Sequence, residues 1–179
     1  MDASAISQII FLIILLIFSA FFSSAETALT TVNKIRMRTL ADDGNKRAER
    51  VLRITDDSHK MLSAILIGNN IVNLSASSLA TTLAIKLWGS VGAGIATGIL
   101  TFLILVFGEI SPKTFATLYA DQISIAYSGI IGFLMKILTP VIFLVNQFSM
   151  GFLFLLHMDP KANNNQMTEE ELRTIVDVS

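Results

Sequence analysis

IIFLIILLIF, residues 9–18, is the stretch on which the fold turns. It sits inside a longer segment, residues 3–25, that carries no charge. About 20 helical residues cross a bilayer core, so this segment is long enough to span one. A segment in hydrocarbon must satisfy its own backbone hydrogen bonds, which leaves helix as its conformation. Two more charge-free segments follow, residues 61–85 and 87–108. Each again meets the length of a span. Small residues at Ser23 and Ala25 resemble a signal-peptide cleavage site. The preceding residues, however, hold Asp2 and no Lys or Arg, so the segment reads as an uncleaved span.

Composition agrees. Of 179 residues 53% are apolar and 15% charged, against about 25% charged in an ordinary soluble domain. Mean hydropathy is +0.65. The length predicts one domain. A net charge of -1 gives no electrostatic case for nucleic acid. With Cys 0, disulfides, thiolate metal sites, iron–sulfur clusters and a Cys nucleophile are excluded for this sequence.

The basic residues set the orientation. Lys34, Arg36, Arg38, Lys46, Arg47, Arg50, Arg53 and Lys60 lie between the first two spans, 8 of the 13 Lys and Arg. The connection between the second and third spans offers only Lys86. The basic loop is expected in the cytoplasm, with the N-terminus outside. Periodicity predicts interfacial helices within residues 33–60, over 34–40 and 46–54, with a turn at Asp42-Asp43-Gly44-Asn45. The charge run reads first as a solvated face beside anionic lipid. A docking surface for a cytosolic domain is the alternative.

Residues 123–158 are apolar apart from Lys136 and a few polar positions, with Pro140 near the middle. Proline predicts two helices meeting at a kink or turn. Lys136 is inexpensive only near a surface. Two helices at or partly within the cytoplasmic interface are expected; two full crossings are the alternative. Residues 1–158 then make a transmembrane domain. Residues 159–179 read as a polar linker and a capped helix start, Thr168 with Glu171. The chain is expected to be a piece whose cytosolic part continues past Ser179.

Polar residues inside the spans carry the chemistry. Ser19, Ser23, Ser24 and Glu26 end the first; Gly68, Asn69, Asn70, Asn73 and Ser75 stand in the second; Gly108, Glu109, Ser111, Pro112 and Lys113 close the third. Such groups are costly in lipid and usually face a bundle interior. Ser19 and Ser23 are i, i+4 and share a helix face; Asn70 and Asn73 are i, i+3 and share another. Asn69 points about 100° from Asn70. Pro112 frees carbonyls near residue 108, and the third span is expected to break or end at 108–112. His59 and His157 are remote from these clusters. Hydroxyls, amide oxygens and one carboxylate suit a hard cation, Mg²⁺, Ca²⁺ or Na⁺.

Blander readings stand beside this one. Ser77, Ser78, Thr81 and Thr82 read as interhelical hydrogen-bonding positions, and Gly92, Gly94 and Gly98 as packing positions. Lys113 at i+4 could pair with Glu109, and Glu26 could be a helix-end surface charge. The Asn73-Leu74-Ser75 sequon lies within a span, where glycosylation does not reach. A Ser23–Lys113 nucleophilic dyad would make an enzyme, but Glu109 accounts better for Lys113, so no enzyme is expected.

SAFFSSAETAL (residues 19–29), IGNNIVNL (67–74) and FGEISPKTFA (107–116) resemble the transmembrane domain of the CorC and cyclin-M magnesium transporters. TEEELRTIV (168–176) resembles the helix leading those proteins into paired nucleotide-binding domains. Ser24-Ala25 departs from a more Ser- or Gly-rich family pattern. The resemblance implies an all-α membrane protein with three transmembrane helices and juxtamembrane helices, dimeric in the plasma membrane, with a cytoplasmic C-terminus. It implies Mg²⁺ export, coupled to Na⁺ entry, through an intramembrane site. The implied ligands are Ser19, Ser23, Asn70, Asn73 and Glu109, with the Gly108 carbonyl, Ser24 and Ser75 secondary. A cation sensor or membrane anchor without transport is the alternative reading.

Overall fold

Nothing in residues 3–31 breaks a helix, and one continuous helix forms there. The computed structural model of the protein describes residues 3–156, with side chains at 5–156 other than residue 90. Every regular element among the described residues is helical. The first helix, α1 (Ala3–Thr31), buries Leu15, Ser19, Phe22 and Leu29 on one stripe. Their spacing of four, three and seven is that of one helix face. Ile6, Ile10, Ile13 and Ile17 stand exposed on the other side. An apolar face that large belongs against lipid.

Helices α2 (Lys34–Asp42) and α3 (Lys46–Asp56) form the basic hairpin. Asn33 and Asn45 cap them; the Asn33 side chain accepts from the Arg36 amide at 3.0 Å, and that of Asn45 from the Arg47 amide at 3.0 Å. The expected turn is present as a Schellman motif: Asn45 N–H donates to Leu40 C=O, and Gly44 N–H to Ala41 C=O. Gly44 takes φ 88°, which a side chain would resist. Met37, Ala48, Val51 and Ile54 face inward from this pair.

Helix α4 (Ser58–Leu103) is capped by Asp57, whose carboxylate accepts from the Lys60 amide at 3.2 Å. It is broken at Gly89, with φ 71° and ψ −163°. Beyond Leu103 the chain passes through a π-helical turn, Ile104–Ile110, into α5 (Ser111–Leu118). Three stretches are thus long and apolar enough to cross a membrane: Ala5–Thr31, Ser58–Gly89 and Val91–Leu118. The expected all-α, three-span membrane fold is what the chain adopts.

The third stretch corrects one expectation. It neither breaks nor ends at residues 108–112. Its hydrogen bonding widens instead, and the Ser111 amide donates to Val106 C=O, five residues back. Pro112 follows in the first turn of α5, where a missing N–H costs little. The backbone absorbs the proline by a change of register. Gly92 packs as expected, since a Cβ there would lie 2.8 Å from the Ala84 carbonyl oxygen. At Gly94 and Gly98 a Cβ would meet nothing within 4 Å, so these two are not packing positions within this chain. Their face of the helix turns away from its neighbours.

Residues 123–158 yield two helices as far as they are described, α6 (Ala120–Ile137) and α7 (Thr139–Leu155). They part at Leu138, and Pro140 stands in the first turn of α7. In α6 Ile123, Ser124, Ser128, Ile131 and Met135 form the buried stripe. Ala28, Ala116 and Ile123 make a small core against which Tyr127 packs, and the Phe21 ring lies 4.5 Å from that of Tyr127. Asp121 ties α6 to the start of α2, accepting from the Asn33 amide at 3.0 Å and pairing with Arg36 at 3.3 Å. Helix α7 is apolar and exposes Phe143, Phe148, Phe152 and Phe154. The expected linker and helix start at 159–179 lie outside the described residues.

Candidate metal centre

Two glycines bring the other spans onto α1. At Gly108 a Cβ would lie 2.8 Å from Ser19 Oγ; at Gly68 it would lie 2.5 Å from the Phe22 ring. A Cβ at either place would force Ser19 or Phe22 to move. Ser19 and Phe22 are three residues apart, so both approaches occur within about 4.5 Å of height along α1. The polar clusters of three spans therefore lie at one level.

Ser19 and Ser23 are each 1% exposed. The oxygens Ser19 Oγ, Ser23 Oγ, Asn69 Oδ1 and Asn73 Oδ1 are enclosed and have no hydrogen-bond partner. Burying an unpartnered polar group costs about 1–3 kcal/mol. Four such groups, two per helix and each pair at i, i+4, form a repeated pattern with a direction. The hydroxyls and amides turn inward at the level where the glycines admit close contact. Ser124 Oγ on α6 and Gln8 Oε1 near the start of α1 are also enclosed and unpartnered.

Glu109 follows Gly108 in the π-helical turn and is half-buried. Among the described residues it makes no ion pair. Lys113 pairs with Glu26 of α1 at 3.5 Å, not with Glu109 as its i+4 spacing allowed. Both partners of that pair are nearly half exposed, at 43% and 45%, so it adds at most about 1 kcal/mol. Pro112 has no N–H to give to the Gly108 carbonyl four residues back.

The remaining expected ligands fall elsewhere. Ser24 Oγ donates to the Ala20 carbonyl at 2.8 Å and lies 3.0 Å from that of Phe21, so its hydroxyl is engaged within its own helix. Asn70 and Ser75 lie on the exposed side of α4. Asn69, which the sequence reading set apart from Asn70, is the enclosed one. Its i, i+4 relation to Asn73 was the available signal. Thr81 and Thr82 bond back to the Ser77 and Ser78 carbonyls, at 2.8 and 2.9 Å. Among the described residues no three His, Cys, Asp or Glu converge on a metal-sized space. The enclosed set is one of neutral oxygens, and Glu109 adjoins Gly108, which packs on Ser19.

Comparison with known proteins shows the family. A protein of Haemophilus influenzae named "UPF0053 protein" is 42% identical over 98% of this chain and 42% of its own length. The "UPF0053 inner membrane protein YfjD" of Escherichia coli is 38% identical over 88% of this chain and 37% of its own. A "Polyamine export protein" of Haemophilus influenzae is 25% identical over 94% of this chain and 42% of its own. The chain thus spans about two fifths of the length of these relatives. The family model described as "Cyclin M transmembrane N-terminal domain" matches residues 10–179. This chain, a multi-pass membrane protein, belongs to the cyclin M transmembrane domain family.

Proposed function

We propose that this domain carries Mg²⁺ across the membrane, and that Ser19, Ser23, Asn69, Asn73 and Glu109 hold the ion as it passes. The supporting observation is the set of four enclosed, unpartnered oxygens on α1 and α4, with Gly108, next to Glu109 in sequence, packed on Ser19. Mg²⁺ takes hard oxygen ligands and keeps part of its water shell, so neutral hydroxyls and amides with one carboxylate suit it. One carboxylate leaves the bound ion with about one net positive charge, which permits release as a permeation site requires. The Gly108 carbonyl is a further ligand in this scheme. Asn70, Ser24 and Ser75 are not.

In the full protein we place the basic hairpin α2–α3 in the cytoplasm, since positive loops stay there. Export, coupling to Na⁺ and assembly as a homodimer in the plasma membrane belong to the same proposal. Alternating access would come from helices sliding where Gly68 and Gly108 meet α1.

Glu109→Ala should abolish Mg²⁺ flux in proteoliposomes of the full-length protein read with a fluorescent Mg²⁺ indicator. Glu109→Gln should reduce it at least about tenfold, because a formal charge is lost. Unchanged flux in either variant refutes the scheme. Wild-type protein that binds Mg²⁺ without flux would instead establish the sensor reading. A second reading comes from the relative named for polyamine export: enclosed oxygens also accept from ammonium groups. Spermidine flux that Mg²⁺ does not compete with would favour it.

A further inference from the structure

Apart from the residues of the proposed metal site lies a cavity of about 340 Å³. Helix α3, the start of α4 and the end of α6 enclose it. Arg50, Arg53, Lys60 and Lys136 line it, with Asp57 as the one acid. Asp57 already accepts from the Lys60 amide, and Glu49 pairs with Arg53 at 3.1 Å. Arg50 and Lys136 have no ion-pair partner among the described residues. Among the described residues the cavity's lining carries a net positive charge.

Glycine shapes this cavity. A Cβ at Gly129 would lie 3.0 Å from Arg50 Nη1, and one at Gly132 would lie 3.5 Å from Ile54. The guanidinium of Arg50 thus lies over bare α6 backbone. On α6 between Gly129 and Lys136, Phe133 lines the same cavity and is 62% exposed. Ile130 and Ile137 are exposed on the same helix. Cations with an exposed aromatic ring among them match an amphiphile: a phosphate group with hydrocarbon attached. Free phosphate would leave the apolar surface unused.

We infer that this cavity binds the phosphate-bearing headgroup of an anionic phospholipid, with Arg50, Lys60 and Lys136 on the phosphate and an acyl chain along Phe133. The lipid would come from the leaflet that α2 and α3 face. It would fix α3 against α6 and so set the depth of the basic hairpin. The inference does not depend on what the spans transport.

The test is native mass spectrometry of the detergent-purified full-length protein titrated with phosphatidylglycerol or phosphatidylcholine. The wild type should retain one phosphatidylglycerol per subunit and release phosphatidylcholine. Lys136→Gln, at an exposed side chain that no fold requires, should weaken phosphatidylglycerol retention about fivefold. Arg50→Gln with Lys136→Gln should weaken it about 25-fold. Lys34→Gln with Arg38→Gln removes equal charge outside the cavity and should change retention less than twofold. An equal loss in both double variants would overturn the inference in favour of diffuse surface attraction. Displacement of the lipid by millimolar inorganic phosphate would overturn it in favour of a free-anion site. Retention of phosphatidylcholine equal to that of phosphatidylglycerol would overturn it too.

Discussion

Ser23 shows at the scale of one residue how function costs stability here. Its hydroxyl is 1% exposed and bonds to nothing. The helix would be more stable with a methyl group in its place. Ser23→Ala should therefore raise the melting temperature of the Mg²⁺-free protein in detergent by about 2–4 °C, for roughly 1 kcal/mol gained. Added Mg²⁺ should raise the wild type's melting temperature and leave that of the variant nearly unmoved. A lower melting temperature for the Mg²⁺-free variant would mean that the hydroxyl has a partner and is not held ready for an ion. The two adjacent asparagines separate in the same way. Asn69→Ala should remove Mg²⁺-dependent stabilisation, whereas Asn70→Ala should keep most of it.

Among the elements, the spans and their order were legible in the sequence because a charge-free run of 20 or more residues has one solution in lipid. The capped hairpin was legible too, since Asn33, Asn45 and Gly44 are local signals. What escaped was angular phase. Pro112 promised a break, yet the chain widened to a π-helical turn, and Lys113 pairs with Glu26 of α1 rather than with Glu109. Asn69 and Asn70 differ by about 100° of rotation; Asn73 stands at i, i+4 from the one and i, i+3 from the other, so spacing alone leaves both open. The approach of Gly68 to Phe22 and of Gly108 to Ser19 is what brings the spans together. Gly108→Ala tests that geometry: the new Cβ must push Ser19 Oγ from its place 2.8 Å away. Mg²⁺ affinity by isothermal titration should fall about tenfold, one 1.4 kcal/mol step, with helical content unchanged by circular dichroism. Wild-type affinity would show that the approach of the third span to Ser19 is not needed.

The whole molecule is a membrane protein whose polar interior and basic hairpin lie on different helices' concerns: α1, α4 and the π-helical turn hold the oxygens, while α2, α3 and α6 hold the surface charge. Its orientation can be read chemically, because the sequence has no cysteine. Asp43→Cys, in the hairpin turn, should react with an impermeant maleimide only after the membrane is opened. Trp88→Cys, beside the Gly89 break and 65% exposed, should react in intact cells. Reversed labelling would place the basic hairpin outside and overturn the proposed direction of transport.

The central claim is that Ser19, Ser23, Asn69, Asn73 and Glu109 meet on one hard cation. An anomalous difference map from crystals of the full-length protein soaked in Mn²⁺ measures this directly. The account predicts a peak between α1, α4 and the π-helical turn, with ligand oxygens at about 2.1–2.2 Å. A peak elsewhere, or Glu109 turned to the lipid while the ion sits on other residues, would contradict it.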